Sequence, residues 1–161
     1  MKKNSIYIET SVFGFYYDEE LKNKIKSEST RKLFKEIEDD LFYAVTSPLT
    51  VLELSKTPNP TKRILLSLIK NYSIKVINVD EEELVELVRK YMEEKIVPQE
   101  FINDARHVAY ATLLKVDILV TLNLKHLANE WNVRKFDSVN LKEGYSPVII
   151  RTPEEVIHYE N

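Results

Sequence analysis

The sequence predicts an α/β protein: a three-layer α/β/α sandwich around a central, mostly parallel sheet. Three observations lead there. Short apolar runs rich in β-branched residues alternate with longer helical patterns. Start and stop signals for helices fall between those runs. The chain has 161 residues, 43% hydrophobic and 30% charged, enough for one domain with a real core and too apolar for disorder. No internal repeat, low-complexity tract or linker divides it, so residues 1–161 read as a single domain.

Ser5 to Ile8 reads as the first strand, and Thr10-Ser11 as the cap of a short helix from Val12. Ser29 to Asp40 carries Leu33, Phe34 and Ile37 on one helical face. Phe42 to Thr46 is the second strand. Ser47-Pro48 then supplies an N-cap and a proline at the first helical position. Pro58 and Pro60 end that helix, and Thr61 to Asn71 forms the next. Ile74 to Val79 is the third strand. Asp80, with Glu83 three residues on, opens the clearest helix, whose apolar stripe is Leu84, Leu87, Val88, Tyr91 and Met92. Pro98 marks a break before a helix from Glu100 to Lys115. Ile118 to Thr121 is a strand, and Asn123 to Asn129 a short helix or turn. Val133 to Phe136 and Pro147 to Ile150 read as small late strands, and Pro153 as the start of a last short helix. Right-handed crossovers place helices on both faces of such a sheet.

Composition narrows the function. No apolar run is long enough to span a membrane, and Met1-Lys2-Lys3-Asn4 leads straight into a strand pattern rather than a secretory leader. There is no cysteine, which excludes disulfides and thiolate metal sites and makes a cytoplasmic location the default expectation. Only two glycines occur, so neither a phosphate loop nor a dinucleotide fingerprint is available. A small-molecule α/β enzyme is disfavoured on that ground and by the lack of a nucleophile elbow. The net charge of -3 hides basic stretches at Lys22 to Lys35 and at Lys56, Lys62, Arg63 and Lys70. Each reads first as solvated surface and second as a contact for nucleic acid. The nine tyrosines, Tyr16 and Tyr17 among them, read as core or boundary before they read as base-stacking platforms.

Three carboxylates carry the functional reading. Glu9 closes the first strand, Glu53 lies in the helix after the second, and Asp104 lies near the start of the helix that feeds the strand at Ile118. In a parallel sheet the carboxyl ends of the strands form one rim, where ligands collect. Three acids gathered there suit a hard divalent cation such as Mg²⁺ or Mn²⁺, and crowding raises the pKa of at least one of them. Singly, each acid has a plain alternative: Glu9 exposed at a strand end, Glu53 exposed on a helix, Asp104 offsetting a helix dipole. Asn123 reads as an N-cap for the segment behind it or as a neutral oxygen ligand. His107 reads as a surface or boundary residue, His126 as the better functional histidine near the rim, and His158 as uninvolved.

The motifs resemble those of the PIN-domain family. Ile6-Tyr7-Ile8-Glu9-Thr10-Ser11-Val12 is similar to its opening motif. Ser47-Pro48-Leu49-Thr50-Val51-Leu52-Glu53-Leu54 resembles its second, and Asp104 to Ala111 followed by Asp117 to Thr121 its third. The likeness spans Ile6 to about Ile150. It implies a metal-dependent ribonuclease. Many bacterial and archaeal members are toxins held in check by an antitoxin, so an RNA substrate, an antitoxin and a homodimer are the implied partners. The implied catalytic residues are Glu9, Glu53 and Asp104, with Asn123 as a fourth metal ligand and Thr10, Ser11 and His126 contacting substrate. Two positions depart from the pattern. The family's first acid is usually Asp, and here it is Glu9. Its frequent fourth acid is replaced by Asn123. These departures favour the alternative reading, a catalytically impaired module acting by RNA or protein binding.

Overall fold

A computed structural model of the protein describes residues 2–159. Five strands form one sheet in which every pairing is parallel: β1 (Asn4–Ile8), β2 (Phe42–Thr46), β3 (Lys75–Val76), β4 (Ile118–Val120) and β5 (Ile149–Arg151). Their spatial order is β3-β2-β1-β4-β5. The chain steps outward from β1 through β2 to β3, then returns past β1 to lay down β4 and β5. The order therefore reverses between β1 and β4, where the crevice beyond the strand ends receives ligands in open α/β sheets.

Side-chain alternation along β1 sorts the helices into layers. Ile6 and Ile8 point to one side, where they pack with residues of α1 (Thr10–Phe15), α2 (Lys24–Glu38) and α4 (Thr61–Asn71). Tyr7 points to the other side, with residues of α5 (Glu81–Glu93), α6 (Ile102–Leu113) and α7 (Glu130–Lys142). The eighth helix, α8 (Pro153–Val156), follows β5 directly and packs on α2. Between the layers, α3 (Pro48–Ser55) covers the carboxyl ends of β1 and β2, with Leu49 in one core and Leu54 in the other. The three-layer α/β architecture thus follows from one strand's period of two. Among the described residues no helix is long and apolar enough to cross a membrane.

Several local readings change. The second helix begins at Lys24, not Ser29, because Ser27 and Thr30 bond back to carbonyls of Asn23, Lys24 and Lys26 and so stay inside it. The helix expected from Glu100 is split into a short 3₁₀ turn, Gln99–Phe101, and α6. The third strand shrinks to Lys75–Val76, the two residues in ladder register with β2 at this exposed edge, and the Ile77 amide adds one last bond to the Thr46 carbonyl. Val133 to Phe136 is helical, not a strand. Asn129 caps α7 by accepting from the Asn132 amide, and Phe136, Val139 and Asn140 form its buried face. That face was hidden because Val133 and Phe136 also fit a short apolar strand. Gly144 ends α7 at φ +83°, where a side chain would be strained.

Candidate functional site

Every residue of the expected site lies at the carboxyl rim. Glu9 follows β1 directly and caps α1; its carboxylate accepts from the Ser11 amide (3.1 Å), a role expected of Thr10-Ser11. The same carboxylate accepts from Ser11 Oγ and from Thr121 Oγ1, both at 2.5 Å. Ser11 Oγ in turn accepts from the Leu122 amide at 2.9 Å. Glu9 is therefore buried, not exposed, and clamps the end of β1 to the end of β4 across the switch point.

Glu53 lies on α3, in the turn beyond Pro48. Its Oε1 accepts from Thr10 Oγ1 (2.7 Å) and from His107 Nε2 (2.5 Å). Burial by itself would push its carboxyl up. The bond and charge of His107 lead the opposing effects, which Thr10 and Asn103 complete, and together they hold it below the usual carboxylate range. The expectation of a raised carboxyl in a crowded acid site thus fails at Glu53, because a histidine and not a second acid is its nearest partner. A depressed folded-state pKa contributes stability above the unfolded value of about 4.3 and loses it as pH falls through the lower folded value. Glu53→Gln is accordingly expected to flatten the acid limb of the stability curve below about pH 4.3 and to lower stability at neutral pH, read by urea melts from acid to neutral. An unchanged limb would remove the pairing with His107.

Asp104 lies in the first turn of α6, and its Oδ2 pairs with His126 Nδ1 at 2.8 Å. His126 is buried against Phe101, the ring centroids 4.4 Å apart, and among the described residues its Nε2 has no hydrogen-bond partner. Asn123 Oδ1 accepts from the His126 amide at 3.0 Å, so Asn123 caps the turn Leu124–Leu127 and brings His126 back over Asp104.

These contacts make one rim with two centres, Glu53 with His107 and Asp104 with His126, and Glu9 between β1 and β4. Among the described residues no group of three His, Asp or Glu side chains is placed to hold a metal ion. The three acids share a rim without converging on a point. The donor chemistry still fits a hydrated Mg²⁺-like ion, which needs only one or two carboxylates and keeps much of its water. Glu53 and Asp104 each meet a histidine through one oxygen, and both side chains remain partly open to solvent.

His107 is not the surface or boundary residue that the sequence suggests. It is fully buried in α6, and its Nδ1 lies 2.8 Å from Tyr7 Oη, which meets Ser47 Oγ at 2.6 Å. The signal was present: Asp104, His107 and Ala111 share a helical face, and the surrounding alanines mark that face as pressed on the sheet. His158, expected to be uninvolved, has a structural task away from the rim, pairing with the buried Glu36. A cavity of about 620 Å³ lies at the opposite rim, lined by Asn4, Asp117, Ile118 and Ile149 at the strand starts. A groove of about 440 Å³ runs between α3, α5 and α6, lined by Leu52, Lys56, Val85, Asn103 and Arg106. It adjoins the acids through Leu52 and Asn103, the sequence neighbours of Glu53 and Asp104. The chain matches no protein-family model and no curated protein.

Proposed function

We propose that the protein is a metal-dependent endoribonuclease of the PIN-domain kind. The observation that carries this reading is the gathering of Glu9, Glu53 and Asp104, from three distant segments, along one hydrogen-bonded rim at the switch point of a parallel sheet. Glu53 and Asp104 would hold Mg²⁺ or Mn²⁺, with water making up much of its shell; Glu9 and Asn123 are the further ligands that the resemblance implies. A divalent ion supplies a water of lowered pKa and offsets charge on the scissile phosphate. Thr10, Ser11 and His126 are the substrate contacts that the resemblance implies; Thr10 and Ser11 already donate their hydroxyl protons to Glu53 and Glu9, and His126 Nε2 is buried, so contact with phosphate requires these groups to exchange partners. Lys56 and Arg106 in the adjoining groove suit the flanking phosphates of a single-stranded or looped RNA. An antitoxin protein and a second copy of the chain are the partners that accompany this reading.

The test is cleavage of single-stranded RNA with Mg²⁺ or Mn²⁺, with a chelator as control. Product that forms equally in chelator would remove the metal dependence. A second reading, a binding module with impaired catalysis, draws support from Glu9 being saturated by its own neighbours and Asn123 being occupied as a cap. RNA binding without cleavage, in Mn²⁺ as well as Mg²⁺, would favour it.

Asn123→Asp tests the fourth ligand. Asp caps as well as Asn, so the turn should survive. The added charge lowers apo stability by repelling Asp104 and raises ion affinity severalfold. Thermal melts with and without Mn²⁺ should show a lower apo midpoint and a larger ion-induced rise than wild type. No change in either would put Asn123 outside the ion's reach.

A further inference from the structure

We propose that His107 is a positioning residue that fixes the Glu53 carboxylate for ion binding, an inference that rests on the metal-dependent reading above. The ring is wholly buried and held at both nitrogens. Nε2 lies 2.5 Å from Glu53 Oε1, and Nδ1 lies 2.8 Å from Tyr7 Oη. A carboxylate only accepts, so the Nε2–H donates to Glu53 in either charge state of the ring. Behind it, Tyr7 is anchored by Ser47 Oγ at 2.6 Å and packs edge-on against the imidazole, centroids 5.8 Å apart. The line Ser47–Tyr7–His107–Glu53 joins β1, α3 and α6, together with the residue before α3, so the imidazole cannot rotate without breaking contacts in several segments.

The two ends of this line differ. The His107 side chain is 1% exposed and that of Glu53 is 26% exposed. Thr10 Oγ1 sits on the same Oε1, 2.7 Å away, and 3.3 Å from His107 Nε2. Glu53 therefore has one oxygen held twice from inside, while its side chain as a whole stays partly open at the rim. A carboxylate on a free helical side chain would sample several rotamers; this one is delivered in a single orientation. Partners that orient a metal-binding carboxylate or histidine are worth roughly 10–100-fold in metal affinity or activity. A histidine serving the core alone would contribute to folding and leave the affinity of the folded protein untouched.

The test uses the full chain and Mn²⁺ alone, by calorimetry, with melts run in parallel. His107→Phe keeps a ring of similar shape and removes the donor; His107→Gln keeps a donor near the Nε2 position. His107→Phe is expected to weaken Mn²⁺ binding roughly tenfold or more, and His107→Gln to recover most of that. On RNA, His107→Phe should lower kcat with KM within about twofold of wild type, since the residue touches no substrate. A folded His107→Phe with wild-type Mn²⁺ affinity overturns the inference. Should His107→Phe fail to fold, nitrogen NMR of the wild-type histidine rings decides. Added Mg²⁺ should shift the His107 signals in wild type and not in Glu53→Gln, and unmoved signals in an ion-bound protein overturn it. The outcomes separate this inference from the nuclease reading. Weakened ion binding in His107→Phe with no RNA cleavage by wild type removes the nuclease and keeps the positioning role. Cleavage with unchanged ion affinity in His107→Phe does the reverse. A wild type that binds neither ion removes both.

Discussion

Asp104→Asn is expected to reduce RNA cleavage roughly 100-fold or more while the protein stays folded. The asparagine is nearly isosteric, and its carbonyl still accepts from the His126 Nδ1–H that Asp104 holds at 2.8 Å. What disappears is the charge. In the apo protein that charge has two favourable neighbours, the amino end of α6 and His126, so its loss should cost up to about 1 kcal/mol. Relief of repulsion among acids, which three converging carboxylates would have given, is not expected, because Asp104 faces a histidine. The measurement is single-turnover cleavage in Mn²⁺ alongside a urea melt of the same preparation. A folded Asp104→Asn protein with wild-type cleavage would end the catalytic assignment.

Glu9→Ala is expected to produce the largest loss of stability among the rim residues, about 3 kcal/mol. Three donors lose their acceptor at once: the Ser11 amide, Ser11 Oγ and Thr121 Oγ1. Glu9 itself is 5% exposed, so water does not replace the carboxylate without opening the junction of β1 and β4. Hydrogen bonds to a charged group contribute about 1.5–3 kcal/mol each, and the two hydroxyls can turn toward other acceptors, which leaves a loss about that of two such bonds at the weak end of the range. In a domain of this size about 3 kcal/mol corresponds to a fall in Tm of roughly 6–12 °C. Glu9→Gln retains an acceptor and should recover most of that loss. The pair of variants thus splits the two roles open to Glu9. If Glu9 also serves the ion, Glu9→Gln will be stable and slow; cleavage at the wild-type rate would confine Glu9 to clamping the strands.

The sequence alone determined the alternation of strands and helices, because each element carries its own signal. Thr61–Asn71 and the opening of α5 at Asp80 need only prolines, a cap and a helical period, and the structure has them where those signals fall. It also determined that Glu9, Glu53 and Asp104 lie at one rim, since in a parallel sheet every strand exit and every returning helix start points the same way. Val133 to Phe136 defeated local reading because a few apolar residues fit either period, and only packing of Phe136 and Val139 against the sheet's helices makes them helical. The partners of each acid were decided by tertiary structure as well. Nothing in the chain near Glu53 announces His107, which lies 54 positions away and meets it only because α3 and α6 close over the same strand ends. The burial of Glu9 has the same origin. Its partner Thr121 comes from the strand that returns to β1 after the order of the sheet reverses, 112 positions along the chain. A hydrogen bond depends on distance and angle in space, so residue type and spacing foretold a set of acids, and the fold decided that each would be met by a histidine or a hydroxyl instead of by another acid.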